Sequence, residues 1–330
     1  MITINTSVKY IENIHPFNEF FFADCIYNNV FSILNYMNIS LLPLLLNMRF
    51  QYEESNENLL CLDIKPKSVE SLENMLTQLS VTIQKFNDYR DLFEVTLKSI
   101  KNAVPVVVNV DCYYESIRKD TYHKEHLDHN LLIYGLDKKD FLIFEQSNKR
   151  TLNFKPQKIL MNDLLLAAEG YTKNYLPESE LQCSFFRLIK KEDQKYDHSN
   201  ALKSYLNDLL NDSNDEALFK SVRILKRLVQ NENINLSNIN SVVNILNIII
   251  NNKVIQKKIL KEINKEILPF LEEAISGWNY LILLLSKFAL NLQADLTSAK
   301  EEVFNVINNV VEYEKKIKEQ YALYYEKVMK

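Results

Sequence analysis

Only three glycines occur in the 330 residues, Gly135, Gly170 and Gly277, so neither a GxGxxG dinucleotide turn nor a GxxxxGK(S/T) phosphate loop can be assembled. Nucleotide chemistry that rests on such loops is excluded. Cysteine is sparse as well. Cys25, Cys61, Cys112 and Cys183 lie far apart with no CxxC pair, which argues against a disulfide scaffold and for the reducing cytoplasm. Cations are not in surplus: 39 basic against 43 acidic side chains leave a formal charge of −4, and no nucleic-acid partner is expected. Long apolar runs are missing too. Val242–Ile250 is short and Leu281–Leu292 is broken by Lys287, whereas a membrane span wants about 20 apolar residues. Met1–Thr6 has no basic stretch leading into an apolar core, so no secretory leader and no membrane partner are expected.

What is present is the composition of an ordinary folded protein, 47% hydrophobic and 25% charged. Single cores stop growing at about 250–300 residues, so two domains are expected. The charged stretch Lys190–Lys195 reads as their junction. Before it, Val104–Val110, His129–Tyr134, Phe141–Phe144 and Ser184–Ile189 read as antiparallel strands, with a turn at Asp137-Lys138-Lys139-Asp140. Ser68–Phe86 and Tyr89–Ala103 carry apolar residues at helical spacing. Residues 1–195 are therefore expected to form an α+β domain. Residues 196–330 read as a helical bundle, with helices at Ala201–Asn211, Glu216–Gln230, Ile239–Asn251, Val254–Ser276, Trp278–Leu292 and Ser298–Val328. Gly277 is expected to end one helix, and Pro269 to kink or divide another.

The chemistry-bearing residues fall in the first domain. The aromatic stretch Phe20-Phe21-Phe22 leads into a helix whose apolar positions are Ile26, Val30, Ile33, Leu34 and Met37, with Asp24 where an N-cap belongs. This sets Cys25 in the first turn, where unpaired amides and the positive end of the helix dipole favour a thiolate and offer donors to an oxyanion. A nucleophile needs a base, and His129 opens an apolar strand that would hold it rigidly. The hairpin that turns at Asp137–Asp140 returns Glu145, 16 residues further on, toward His129 as an orienting acid, while Asp137 remains the alternative third member. His123, His126 and His129 repeat every three residues as metal ligands can, but no further cluster completes a set, and no metal is expected. Asp111 with Tyr113 and Tyr114 forms either an acceptor pocket, in which Asp111 holds an ammonium group, or a packed strand end.

A cysteine at the start of the first long helix, a strand ending in Asp111-Cys112-Tyr113-Tyr114, then Tyr122, His126 and His129 leading into Asn130-Leu131-Leu132-Ile133-Tyr134-Gly135-Leu136-Asp137, resembles the family of the butirosin-biosynthesis acyltransferase. The resemblance covers roughly residues 15–190. It implies a papain-like cysteine-protease fold, similar also to the amide-forming enzyme of closthioamide assembly. It further implies an activity that moves an acyl group from an acyl carrier protein thioester to a small amine without ATP or another cofactor. Cys25 would then be the acylated nucleophile and His129 the base, and Asn18, a few residues before Cys25 where papain-like enzymes keep an oxyanion-hole side chain, would be a candidate oxyanion donor. Two rival readings keep the fold: a cysteine peptidase or amidase that uses water, and a non-catalytic binding protein. The helical half is expected to serve as a cap, as a homodimer surface, or as a dock for the acidic carrier through Arg223, Lys226, Arg227, Lys253, Lys257, Lys258 and Lys261, although exposed helix charges of this kind are commonly only solvated.

Overall fold

The computed structural model describes residues 8–22, 24–146, 148, 152–176, 179, 181–191, 196–235, 238–290 and 296–329. The chain runs β1 (Lys9–Tyr10), α1 (Cys25–Tyr36), α2 (Leu42–Asn47), β2 (Met48–Glu54), β3 (Leu62–Ser68), α3 (Leu72–Gln78), β4 (Val81–Phe86), α4 (Leu92–Lys101) and β5 (Val106–Asp111). It continues with β6 (Asp128–Asp137), β7 (Asp140–Gln146), β8 (Phe154–Leu160), α5 (Met161–Asn174), β9 (Phe185–Lys190), α6 (Ser199–Leu209), α7 (Asp212–Gln230), α8 (Ile239–Ile263), α9 (Leu268–Ala289) and α10 (Leu296–Met329). Two compact units result, one of residues 1–41 and 71–196, the other of 42–70 and 197–330. The expected junction at Lys190–Lys195 falls beside the second crossing point, though 192–195 lie outside the described residues. Residues 42–70 depart from the expectation. They are not part of the α+β unit, because the apolar faces of the β2–β3 hairpin (Tyr52, Leu62, Ile64) are buried among α7, α8, α9 and α10.

The first unit is built on a seven-stranded antiparallel sheet in the order β4-β9-β5-β6-β7-β8, with β1 paired to the far end of β6. Val106-Val107-Val108-Asn109-Val110-Asp111 is buried at every position, which suits β-branched residues in a strand covered on both faces. Val106, Val108 and Val110 join Leu131, Ile133, Phe141, Ile143 and Phe185 in a core with Leu92 of α4 and Leu164, Ala167 and Ala168 of α5. The helix expected over Ser68–Phe86 is only α3. Ser80 takes a left-handed φ of 58°, and Val81-Thr82-Ile83 then finds a strand partner in β9. Tertiary pairing overrides helical spacing there.

The β6–β7 hairpin contains the feature that sets up the site. Counted back from the Lys138–Lys139 turn, where Asp137 faces Asp140, an unbroken ladder would put Glu145 opposite Leu132, on the face away from His129. The ladder instead takes up an extra residue, Tyr134: Gly135 faces Leu142, but Ile133 faces Ile143. Continued to the strand end, this register sets Glu145 opposite Leu131 and on the same face as His129. β1 marks the place of the bulge, since Ile11 N donates to the Tyr134 carbonyl at 2.8 Å and Tyr10 lies opposite Gly135.

The second unit is helical apart from β2 and β3. α8 runs unbroken through the expected gap at 252–253, because Asn252 and Lys253 are buried and bonded: Asn252 Nδ2 donates to Tyr52 Oη at 2.8 Å, and Lys253 Nζ lies 2.5 Å from Glu314 Oε2. The break comes at 264–267, and Pro269 sits in the first turn of α9, where its missing N–H costs nothing. Gly277 does not end a helix. It lies inside α9, and a Cβ there would meet Val310 Cγ2 of α10 at 2.6 Å, so it permits a close crossing. Lys253 is likewise not an exposed helix charge but a buried one. Among the described residues one helical stretch, Lys265–Ala289, has the length and hydropathy of a membrane span; its Leu271, Trp278, Leu281, Leu285 and Phe288 are packed in the core of this unit.

Candidate active site

α1 begins at Cys25, and Asp24 caps it by accepting from Ile26 N at 3.0 Å. That bond occupies one of the first-turn amides, so Ile26 N is not available to an oxyanion. The helix is anchored by apolar residues on nearly every side: Val30, Phe31, Ile33 and Leu34 are fully buried, and Phe17, Phe20 and Tyr27 pack edge-on against Phe31, with Phe22 tilted on it. Asn28 Nδ2 donates to the carbonyls of Phe17 and Phe20, which ties the aromatic lead-in to the helix. Cys25 itself is half-buried.

His129 meets Cys25 from the start of β6. Its Nε2 lies 2.8 Å from Glu145 Oε2, and both side chains are buried. With Nε2 engaged by the carboxylate, Nδ1 is the ring nitrogen left to face the thiol. Burial alone would pull the imidazole's proton affinity down. The charges of Glu145 and Cys25, and hydrogen bonds to both, outweigh it and hold the pKa well above the ordinary 6.5. Behind Glu145 stands Arg118, 1% exposed, whose Nη1 donates to Glu145 Oε1 at 2.8 Å and whose Nε and Nη2 donate to Asp120. Burial opposes the guanidinium charge, but Asp120 and Glu145 more than offset that. Glu145 is thus itself held by one N–H of a guanidinium whose other two donors are forked onto Asp120.

A row of amides reaches the thiol from the other side. Asn109 Nδ2 donates to the Cys183 carbonyl at 2.7 Å, so its Oδ1 is the end that accepts from Asn130 Nδ2 at 2.5 Å. Asn130 Oδ1 is then what faces Cys25 Sγ, at 3.0 Å. A carboxamide oxygen only accepts, so this contact is made by S–H. Asn29 Nδ2 donates to the Asn130 backbone carbonyl at 2.9 Å and ties α1 to β6 at the same point. The arrangement can store the proton on sulfur and deliver it to His129.

The other sequence candidates are placed as follows. Asp137 lies at the opposite end of β6 from His129, paired with Lys158, and does not reach the imidazole. Asn18 is bonded through both ends of its amide to the Phe154 backbone at 2.8 Å, a clip that commits its oxygen and one of its two Nδ2–H groups. Asp111 is fully buried with both oxygens engaged: Oδ1 accepts from Tyr113 N, while Oδ2 meets His126 Nδ1 at 2.7 Å and Asn174 Nδ2 at 2.8 Å. Tyr113 stacks on His126 at 4.2 Å, and Tyr114 packs so closely on α5 that a Cβ at Gly170 would come within 2.4 Å of its ring. These contacts match the packed strand end of the two readings. Among the described residues His123, His126 and His129 do not converge. The metal-capable group that does form is Glu115, His129 and Glu145, with ligand atoms within 4.8 Å of one another. Its Glu145 oxygens already hold Arg118 and His129, so the cluster has a cation of its own.

Sequence reasoning missed Arg118, Asn130, Asn109 and Glu115. Asn109 and Asn130 carried a usable signal, each as a polar residue set in an apolar strand. The loop that carries Glu115 and Arg118 has no period to read. No protein-family model matches the chain, and comparison with curated proteins finds no match either.

Proposed function

We propose that this chain is a cytoplasmic cysteine acyltransferase with a papain-like catalytic unit, which takes an acyl group from a carrier-protein thioester and passes it to a small amine, forming an amide as in natural-product biosynthesis. The observation that carries the reading is the continuous contact from Arg118 through Glu145 to His129, ending at a half-buried thiol in the first turn of a buried helix. In the first half-reaction the Cys25 proton passes to His129, sulfur attacks the thioester carbonyl, and the departing thiol takes the proton back. In the second, the amine attacks the acyl-enzyme, His129 accepts its proton, and Cys25 leaves and recovers that proton. One thioester is exchanged for another before the amide forms, so no nucleotide is consumed.

Incubation with an acyl thioester of N-acetylcysteamine, followed by intact mass measurement, tests this. The expected result is one added acyl group on Cys25, discharged as an amide when a primary amine is supplied and absent from Cys25→Ala. An unmodified wild-type protein would remove the reading. Discharge at equal rates with and without amine would make water the acceptor and the protein a hydrolase.

A further inference from the structure

Glu115 is the one group in the buried cluster that the proposed chemistry does not use. It closes the 3₁₀ turn Cys112–Tyr114, its N–H donating to the Cys112 carbonyl at 3.2 Å, and this turns its side chain inward. It is 0% exposed, and neither carboxyl oxygen meets an N–H or O–H donor in the protein; the donor beside it is the weak S–H of Cys112. A buried carboxylate without partners is among the costliest arrangements a fold can hold. Yet it stands within 4.8 Å of His129 and Glu145, both already engaged. The groups that face it are Glu145 of β7, His129 of β6, Arg118 of the following loop and the Cys112 thiol of its own turn. Arg118 is the single fixed cation, and its N–H groups are directed at Glu145 and Asp120.

We propose that Glu115 is a positioning residue that works as a neutral acid: while it keeps its proton, Glu145 is the carboxylate ion bonded to His129, with Asp128 acting on the ring from beside it on β6, and when Glu115 ionises the added buried charge locks the proton onto the imidazole. The role rests on reading Cys25, His129 and Glu145 as a working triad. The direction of its ionisation agrees: burial, then repulsion from Glu145, push the Glu115 carboxyl up from 4.5 to about 8 against the pull of His129, Arg118 and Cys112. A base that must both take and return a proton works best when its affinity is near the working pH. Ionised Glu115 raises that affinity further and withdraws His129 from exchange.

The test is the imidazole itself. In protein labelled at histidine, with the His129 resonance assigned by its loss in His129→Gln, the wild type should show His129 responding to a second group that ionises near pH 8. In Glu115→Gln that response should vanish, and His129 should lose its proton at a pH lower by about one unit, since one buried charge near it is gone. Identical titrations in the two proteins would overturn the proposal. In the unaltered protein, the infrared carbonyl band of a buried protonated carboxyl should be present at pH 6 and fade through pH 8; no such band would overturn it even if the variant failed to fold. About one equivalent of divalent metal in the purified protein, lost in Glu115→Gln, would also overturn it, because the cluster would then hold a cation and not a proton. Alkylation of the wild type with iodoacetamide separates this from the triad reading. Cys112 and Cys183 are buried with thiols pushed up to about 12, which leaves the half-buried Cys25 and Cys61, and of these Cys25, at a helix start beside His129, should react first. Unselective labelling would defeat the triad, whereas selective labelling with unchanged His129 titration would defeat only the role of Glu115.

Discussion

Each unit buries a cluster of charge, and the two clusters are balanced differently. In the helical unit Glu314 is fully satisfied: Oε2 faces Lys253 Nζ at 2.5 Å and Oε1 accepts from Trp278 Nε1 at 3.0 Å. Burial would strip Lys253 of its proton, but Glu314 first and then Tyr52 outweigh it, so one cation meets one anion. In the sheet unit two carboxyls, Glu115 and Glu145, face Arg118 and an imidazole, and Glu115 meets no N–H or O–H donor. A closed pair serves packing and specificity of contact. An unclosed one keeps a titratable group near neutrality, and such groups concentrate where chemistry is done.

The largest expected effects break the unbalanced cluster at its reacting end. Cys25→Ala should abolish acyl transfer, and His129→Ala should come close to doing so. Glu145→Ala should cost on the order of 10–10⁴-fold in rate, since the acid orients and stabilises a base that remains present. Asp137→Ala, at the far end of β6, should leave the rate near wild type. Rates measured on N-acetylcysteamine thioesters, with folding followed by circular dichroism, decide the ranking; a severe Asp137→Ala defect beside a silent Glu145→Ala would reverse it.

The balanced cluster should respond in stability and not in thiol chemistry. Lys253→Met strands Glu314 in the core and should cost about 3–5 kcal/mol, while the double change with Glu314→Gln should cost less than the single one. Urea unfolding gives the stabilities. Cys25 alkylation in the folded variants should proceed at the wild-type rate, and a slowed rate would show that the two clusters are not independent.

The smallest effect per step is the change of stability with each pH unit. The Glu115 carboxyl sits at about 8 in the folded chain against 4.5 ordinarily, so between those values the folded state holds a proton the unfolded state has lost. Stability should therefore fall as pH rises across that window, with a slope approaching ~1.4 kcal/mol per pH unit from this one group. His129 acts in the same direction. Its folded pKa is raised, so its contribution is complete below the ordinary 6.5 and is lost as pH climbs through the folded value. Glu115→Gln should flatten the first part and shorten the second, since His129 then loses its proton about one pH unit lower. Equal pH slopes in urea unfolding of variant and wild type would count against a protonated Glu115.

Much of this was legible in the sequence because it is local. The valine run of β5, the turn at Lys138–Lys139, the cap at Asp24 and the placing of Cys25 in the first turn of α1 follow from propensity, period and capping, which act over a few residues. Scarcity of glycine was equally readable, and the structure uses Gly170 and Gly277 where another chain presses close. The tertiary structure decided the rest. Leu62 and Ile64 have a strand's alternation in either unit, and only the apolar surface of α7–α10 determines which one buries them. Arg118 and Glu115 come from a loop without period, and reach the triad because the strand ends on either side of that loop bring it there. The face of Glu145 was decided in the same way. Counting from the turn would set it away from His129; the extra residue at Tyr134, seated beside β1, shifts the ladder by one and turns it back, and a one-residue shift in register is a long-range outcome that no local pattern fixes.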